Sequence, residues 1–259
     1  MNKEPSLAAS LDKYFIEIAE TAQFAGRFFK TFFKRPYELG EFVRQAYFIG
    51  YNSIGLVAVT GFIMGLVLTI QSRPTLARFG AESWLPGMVT VSIIREIGPV
   101  ITALICAGKI GSGIGAELAS MKVTEQIDAM EVSGTNPYKY LVVTRVLATT
   151  LMVPVLVIFA DAIGLFGSYI GVNIMDHVSL HLYFTQSMNS LDFADVFPAF
   201  VKTFFFGFAI AMIACYKGFT TTKGTEGVGL AANSAVVVSS LCIFIIDMIA
   251  VQLASFFMN

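Results

Sequence analysis

The sequence predicts an all-α, polytopic membrane protein in which five transmembrane helices are preceded by an amphipathic interfacial helix. Of the 259 residues, 56% are hydrophobic and 14% are charged, and the mean hydropathy is +0.72. Soluble domains are about 25% charged. This composition excludes a disordered chain, a collagen-like repeat and a free cytosolic enzyme. The net charge of −1 provides no field to attract nucleic acid. The three cysteines all lie in apolar runs, so we expect buried thiols rather than a disulfide scaffold.

The first element, residues 1–36, is predicted to be an amphipathic helix that lies in the plane of the membrane. Apolar residues recur every three or four positions from Leu7 to Phe32, and charged residues occupy the opposite face. The mixed charge of this segment and its lack of a short apolar core with a cleavage site argue against a signal peptide. Pro36 is expected to end the helix. A helix that packs on another protein is the alternative.

Five apolar stretches then follow, each long enough to cross a bilayer, which takes about 20 residues at 1.5 Å rise per residue. They lie at about 53–70, 87–107, 147–172, 197–216 and 228–258. The third and the fifth are longer than one span, so we expect them to tilt or to extend beyond the hydrocarbon.

The distribution of Lys and Arg predicts the orientation of these spans. Thirteen basic residues lie before the first span, between spans two and three, or between spans four and five, whereas only Arg73 and Arg78 lie on the opposite side. Lys and Arg are enriched in cytoplasmic segments. The amino terminus is therefore predicted to be cytoplasmic and the carboxyl terminus to be on the outer side.

Five charged residues fall inside the predicted spans, where each costs about 2.5–3.5 kcal/mol on insertion scales. They are Arg95, Glu96, Asp161, Lys202 and Asp247. Arg95 and Glu96 are about 100° apart on a helix, so we expect each to have a partner elsewhere. Glu96 and Lys202 both belong to the outer half of the membrane, where they would pair or line one cavity. Asp161 and Asp247 have no obvious partner, and we interpret them as groups that tie helices together.

The segment between spans two and three is the other unusual feature. Glycines 108, 111, 113 and 115 are predicted to end span two flexibly, and residues 116–132 then form one short polar helix. Turn residues at 133–137 stop that helix. A short polar helix below a membrane bundle is suited to docking in the groove of another protein, and a simple structured loop is the alternative.

Other candidate sites are weak. His177 and His181 have i, i+4 spacing but no third ligand, so we expect two interfacial histidines and no metal. The sequence contains no G-x-x-x-x-G-K-[ST] phosphate loop, so the chain is not expected to hydrolyse ATP itself.

Several motifs in order along the chain resemble the MlaE/YrbE permease family, the membrane subunits of ABC transporters that work with MCE-domain lipid-binding proteins. The motifs are FVRQ at 42–45, IREIGP at 94–99, AGKIGS at 107–112, AE at 116–117, Met121, TEQ at 124–126, ME at 130–131, NP at 136–137, Arg145 and Pro154. The resemblance makes residues 37–259 a permease domain and covers nearly all of the chain from Phe42.

The resemblance also implies an assembly. It implies a homodimer in the bacterial inner membrane, with its carboxyl terminus in the periplasm, two copies of a separate ATPase that bind ATP, and a hexameric ring of MCE-domain proteins on the outer side. A STAS-domain accessory protein is a further partner of this family. The implied cargo is phospholipid, in support of outer-membrane lipid asymmetry or lipid trafficking. No cofactor is expected in this chain, and the resemblance leaves the direction of transport open.

Individual residues take roles from the same resemblance. Residues 116–134 become the coupling helix, which presents Glu117, Glu125, Asp128 and Glu131 to the ATPase. Arg95, Glu96 and Lys202 belong to the lipid cavity, and Leu76 and Phe79 fall where the family contacts lipid tails. Two other classes of function remain as alternatives: an ion-coupled secondary transporter that uses Glu96 and Asp161, and a membrane scaffold for an MCE protein.

Overall fold

The computed structural model describes residues 7–34, 37–174, 177–222 and 224–258, with side chains from Ala19 to Phe256 within those ranges, and this part of the chain is helical without strands. The α-helices are α1 (Leu7–Phe32), α2 (Leu39–Arg78), α3 (Leu85–Ser92), α4 (Gly98–Cys106), α5 (Ser112–Val123), α6 (Gln126–Val132), α7 (Thr144–Asn173), α8 (Leu180–Asn189), α9 (Phe193–Phe219) and α10 (Gly224–Met258). Three π-helical segments join or extend them, at Ile93–Ile97, Ala107–Gly111 and Tyr138–Val143. A short 3-10 turn at Glu82–Trp84 precedes α3.

Five helical runs are long and apolar enough to cross a membrane, which confirms the predicted number of spans. They are Leu39–Arg78, Glu82–Val123, Tyr138–Asn173, Phe193–Phe219 and Gly224–Phe256. Every run is longer than the stretch that hydropathy predicts, because polar ends continue the helix. The first has 40 residues, or about 60 Å, and so extends well beyond a hydrocarbon core of about 30 Å.

The predicted flexible end of span two is wrong. Glycines 108, 111, 113 and 115 lie within an unbroken helical run from α4 through the second π segment into α5. Gly115 lies against α10: a Cβ on it would be 3.3 Å from the carbonyl oxygen of Ala231 and 3.3 Å from the Cβ of Ala235. The absence of a side chain therefore lets α10 approach α5 closely.

Helices α2 and α7 pack against each other through small residues. A Cβ on Gly61 would lie 2.8 Å from the carbonyl oxygen of Ala160, and one on Gly65 would overlap the backbone of Gly164. One turn further along, the hydroxyl groups of Thr69 and Ser168 are 2.6 Å apart and form a buried hydrogen bond. Close backbone approach and an interhelical hydroxyl pair are typical of helix packing inside membranes.

The carboxyl-terminal half of α1 packs against the bundle of its own chain. Phe28 is buried. The ring of Phe24 makes an edge contact with the ring of Tyr138, and the ring centres are 4.9 Å apart. The Tyr138 hydroxyl donates to the carbonyl oxygen of Phe24 at 2.6 Å, and the guanidinium of Arg27 lies 4.6 Å from the centre of the Tyr138 ring. The helix predicted to precede the spans is present, and Pro36, its predicted end, lies outside the described residues.

The single helix predicted for residues 116–132 is wrong, and the implied coupling helix at 116–134 is likewise divided. Residues 116–123 continue α5, and a separate helix, α6, begins at Gln126. Between them Glu125 has a φ of 59°, in the left-handed region, and this turn redirects the chain. The predicted stop after α6 is present: Gly134 has a φ of 81°, and the Thr135 N–H donates to the carbonyl oxygen of Met130.

Candidate functional site

A π-helical segment shapes the centre of span two. Pro99 has no N–H to offer to the carbonyl oxygen of Arg95, and the Gly98 N–H reaches back five residues to Ile93 instead of four. Such bulges rotate the residues that they contain and are frequent at functional sites. This bulge contains both Arg95 and Glu96.

Lys202 of α9 is the centre of a three-residue charge cluster. Its side chain is 4% exposed, and Nζ donates to Oε2 of Glu96 and to Oδ1 of Asp247, both at 2.7 Å. The cluster connects span two, span four and span five. It contains one cation and two carboxylates, so the positive charge of Lys202 is more than neutralised within the protein.

Asp247 thus has a partner that was not obvious from the sequence, and its ion pair ties α10 to α9, in agreement with its interpretation as a helix tie. The depths of Glu96 and Lys202 in their spans can be estimated from sequence. The side of α10 that faces α9 cannot, because apolar residues occur on every side of that helix. Pairing with Lys202 places Asp247 in the same cluster as Glu96. Helical rise along the sequence predicts that Glu96 and Lys202 both lie in the outer half of the membrane.

Arg95 has a different partner, as the angular separation from Glu96 predicts. Its Nη1 lies 3.3 Å from Oδ1 of Asp195, in the first turn of α9. Sequence reasoning missed Asp195, because it lies just before the predicted fourth span. The signal that points to it is an acidic residue in the first helical turn, where the helix dipole favours negative charge.

Two spaces adjoin this cluster. A narrow cavity of about 20 Å³ between Arg95, Glu96, Asp195 and Lys202 is close to the room that one water molecule needs. Beside it, an apolar groove of about 700 Å³ lies between α9 and α10 and shares Lys202 with the narrow cavity. Its other walls include phenylalanines 193, 197 and 205. Charged groups thus stand at one edge of a long apolar surface.

Leu76 and Phe79 do not line either of these spaces. Leu76 packs against the buried cluster around Leu85 and Val89, and Phe79 is 81% exposed at the end of α2. Their role as lipid contacts stays a prediction.

Asp161 of α7 lies against the other face of the π-helical segment. A Cβ on Gly98 would overlap its carboxylate, so the glycine makes room for it. Its Oδ1 is buried and has no hydrogen-bond partner among the described residues. The interpretation of Asp161 as a helix tie is therefore not supported by a hydrogen bond from that oxygen.

The acidic residues predicted to couple to an ATPase occupy two environments. Glu117 forms an ion pair at 2.7 Å with Arg145, which is 1% exposed, so this carboxylate is tied to the bundle. Asp128 pairs with Lys122 at 2.8 Å on the surface. Glu125 and Glu131 are exposed on α6 and the turn before it. Contact of these groups with an ATPase stays a prediction.

The described residues contain no group of three or more His, Cys, Asp and Glu side chains arranged to hold a metal ion. His177 and His181 are both exposed. Cys106 and Cys215 are buried free thiols, and Cys242 is half-buried.

The bundle is similar along its whole length to known membrane permeases. The family model described as "Permease MlaE" matches residues 42–253. A probable ABC transporter permease protein of Rickettsia typhi is 40% identical over 253 residues, which is 96% of this chain and 97% of the relative. A probable ABC transporter permease protein of Synechocystis is 36% identical over 203 residues, 78% of this chain and 77% of the relative. The chloroplast protein trigalactosyldiacylglycerol 1 of Arabidopsis thaliana is 35% identical over 208 residues, 80% of this chain and 59% of the relative.

Proposed function

This chain belongs to the MlaE permease family, and on that premise we propose that it moves phospholipid between the bacterial inner membrane and an MCE-domain partner, as the membrane subunit of an ABC transporter. The observation that carries the proposal is the match of the family model to residues 42–253, which include the charge cluster and nearly all of the spanning bundle. The name of the Arabidopsis relative contains that of a galactolipid, which favours a lipid as the class of cargo.

The site has the chemistry that a two-tailed anionic lipid requires. The apolar groove between α9 and α10 offers about 700 Å³ to acyl chains. In the narrow cavity beside this groove, the Arg95 side chain is 40% exposed and gives one N–H to Asp195, so further donors of its guanidinium are free for a phosphate. Lys202 is balanced by Glu96 and Asp247 and would hold the three helices in place beside the head group.

Energy for movement would come from a separate ATPase that docks on the cytoplasmic side. The helix pair α5 and α6 projects Glu125, Asp128 and Glu131 to the surface. The same pair is joined to span three by the ion pair of Glu117 with Arg145. Closure of the ATPases would therefore be transmitted through α5 into span two, which carries Arg95 and Glu96.

A second copy of the chain and an MCE ring would complete the cavity. In the most apolar part of α10, only 17% of the residues are buried within one chain. That leaves a long apolar face for a homodimer partner or for lipid. With the amino terminus in the cytoplasm, the charge cluster is in the outer half of the membrane, where an MCE ring in the periplasm would receive or deliver lipid.

The first experiment purifies the tagged full chain in mild detergent after expression with its neighbouring genes, and identifies bound protein and lipid by mass spectrometry. We expect an ATPase, an MCE-domain protein and phospholipid together. A stable, monodisperse sample with neither ATPase nor lipid would contradict the proposal. It would favour the scaffold, or the ion-coupled carrier if a proton gradient alone drives transport.

A second experiment tests the cavity. Glu96→Gln keeps a hydrogen-bonding side chain beside Lys202 but removes one charge, and Glu82→Gln makes the same change at an exposed position of the 3-10 turn. ATP-driven lipid transfer to the MCE partner should fall with Glu96→Gln and stay normal with Glu82→Gln. Equal transfer by both variants would remove Glu96 from the proposed mechanism.

A further inference from the structure

A second large groove lies near the opposite end of the bundle, between α2 and the α4–α5 part of span two. Its volume is about 680 Å³. Ile49, Ile110 and Ile114 form an apolar floor, and Arg44 and Lys109 are its basic side chains. Lys109 follows Glu96 by thirteen residues in one helical run, a separation of about 20 Å along the axis. The groove is therefore distinct from the charge cluster of the outer half.

Lys109 is the cation of this groove that no carboxylate balances among the described residues. Its Nζ donates to the backbone carbonyl oxygen of Asn52. The other charges are already paired. Two nitrogens of Arg44 donate to Glu41 at 2.8 Å, and Glu117, at the rim, pairs with Arg145 outside the groove. The groove thus carries one surplus positive charge above an apolar floor.

The groove also lies at the level of the lipid head groups. Tyr47 and Tyr51 are both exposed on α2, and their rings stack with their centres 5.5 Å apart. Exposed tyrosines of this kind mark the boundary between membrane and water. The first predicted span begins at Ser53, one turn after Ile49. A charged group at this depth meets phosphates.

From these contacts we propose that the groove binds the phosphate head group of a phospholipid in the leaflet at this end of the bundle. Lys109 contacts the phosphate, the guanidinium of Arg44 supplies further donors nearer the water, and the acyl chains leave the groove past Lys109 towards the centre of the bilayer. The assignment to the cytoplasmic leaflet and to the transport route rests on the proposed function, whereas the binding itself does not. The groove then holds the same class of lipid as the outer cavity, but in the opposite leaflet.

The test measures lipid binding to the purified full chain by native mass spectrometry, without ATP. The probes are dioleoyl phosphatidylglycerol, dioleoyl glycerol with the same chains but no phosphate, and inorganic phosphate. We expect Lys109→Gln to weaken phosphatidylglycerol binding about tenfold, which is the effect of one lost charge-assisted hydrogen bond. Lys122→Gln makes the same change on a lysine that lies outside the groove and should leave binding unchanged.

A steric pair of variants tests the same groove without a change of charge. Gly113 lines the groove and Gly108 does not, and a Cβ at either position meets nothing within 4 Å. Gly113→Leu should therefore lower the number of phosphatidylglycerol molecules bound per chain by one, whereas Gly108→Leu should not. This pair keeps the test decisive if Lys109→Gln does not fold.

Each remaining outcome decides between explanations. Equal binding of phosphatidylglycerol and dioleoyl glycerol, or equal binding by Gly113→Leu and Gly108→Leu, would overturn the proposal. Full competition by millimolar inorganic phosphate would identify a free-phosphate site and would also overturn the lipid assignment. Normal binding in the groove by a wild-type complex that transfers no lipid would contradict the proposed function and leave the groove assignment standing.

Discussion

Arg145 of α7, buried in the bundle, reaches Glu117 of α5 at 2.7 Å and links span three to the last part of the second helical run. Glu117 is half-exposed, so the two partners lose very different amounts of solvation. The guanidinium depends on its partner, whereas the carboxylate can be hydrated. Removal of the carboxylate is therefore costly chiefly because Arg145 loses its charged partner.

Glu117→Gln should destabilise the protein by about 1–3 kcal/mol, because it leaves a buried guanidinium without a charged partner. The measurement is the thermal midpoint of the detergent-solubilised chain. Glu125→Gln is the matched control, since Glu125 is exposed and makes no ion pair among the described residues. Equal midpoints for the two variants would show that the Glu117–Arg145 pair does not stabilise the fold. A loss of ATPase stimulation with Glu125→Gln alone would support docking through α6.

Lys202→Met should be severely destabilising, by about 3–5 kcal/mol, because Glu96 and Asp247 would face each other without a cation. The triple variant Lys202→Met, Glu96→Gln, Asp247→Asn removes all three charges and should recover most of the loss. Size-exclusion profiles and thermal midpoints in detergent measure both effects. A single variant as stable as the wild type would mean that the cluster does not hold the three spans together.

The triple variant also separates structure from transport. If it folds but transfers no lipid, the charges are required for function beyond their structural role. If it folds and transfers lipid normally, the three charges are not needed for recognition of the head group, and Arg95 is the basic group left for that role.

Much of this architecture follows from physical chemistry that acts locally. The five spans and the helix before them could be predicted because apolar length and helical periodicity are set by consecutive residues. The pairing of Glu96 with Lys202 could be predicted as well, since the depth of a residue in its span follows from helical rise. The contacts of Asp247 and Asp195 could not be predicted. They depend on which faces of α9 and α10 meet, and apolar helices do not show this in their sequence.

The local features of span two that differ from the prediction have separate physical causes. Glycine after an apolar run usually signals the end of a helix, but inside a membrane bundle it also allows close packing. Gly115 makes such a contact with α10. The break at Glu125, a residue with no special preference for positive φ, carries no such signal. The π-helical segment before Pro99 is likewise set by the tertiary packing of its neighbours as well as by the missing N–H.

Gly65→Ala should weaken the packing of α2 on α7, because the added methyl group would overlap the backbone of Gly164. We expect a loss of about 1–3 kcal/mol from the forced separation of the helices. Gly55→Ala, on the same helix, adds a methyl group where nothing lies within 4 Å. That control should be neutral or gain up to about 1 kcal/mol from helix propensity. The reverse order of stabilities would show that the two helices do not pack through these glycines.

Two tyrosine hydroxyl groups of the bundle form hydrogen bonds to α1. Tyr138 donates to the carbonyl oxygen of Phe24, and Tyr216 donates to Oε2 of Glu20, each at 2.6 Å. Tyr138→Phe combined with Tyr216→Phe should cost about 1 kcal/mol for each bond and loosen α1 without unfolding the spans. Trypsin should then cut more rapidly at Arg27, which lies over the Tyr138 ring.

The control for this variant is Tyr51→Phe, which removes a hydroxyl group from an exposed tyrosine on α2. It should leave the rate of cleavage at Arg27 unchanged. The assay is run in nanodiscs as well as in detergent, because a helix held chiefly by lipid would be protected only in the nanodisc. Cleavage that is equally slow for the double variant and the wild type in detergent would mean that aromatic packing alone holds α1. Faster cleavage of the double variant in both media is the result expected if the two hydroxyl groups hold α1 to its own bundle.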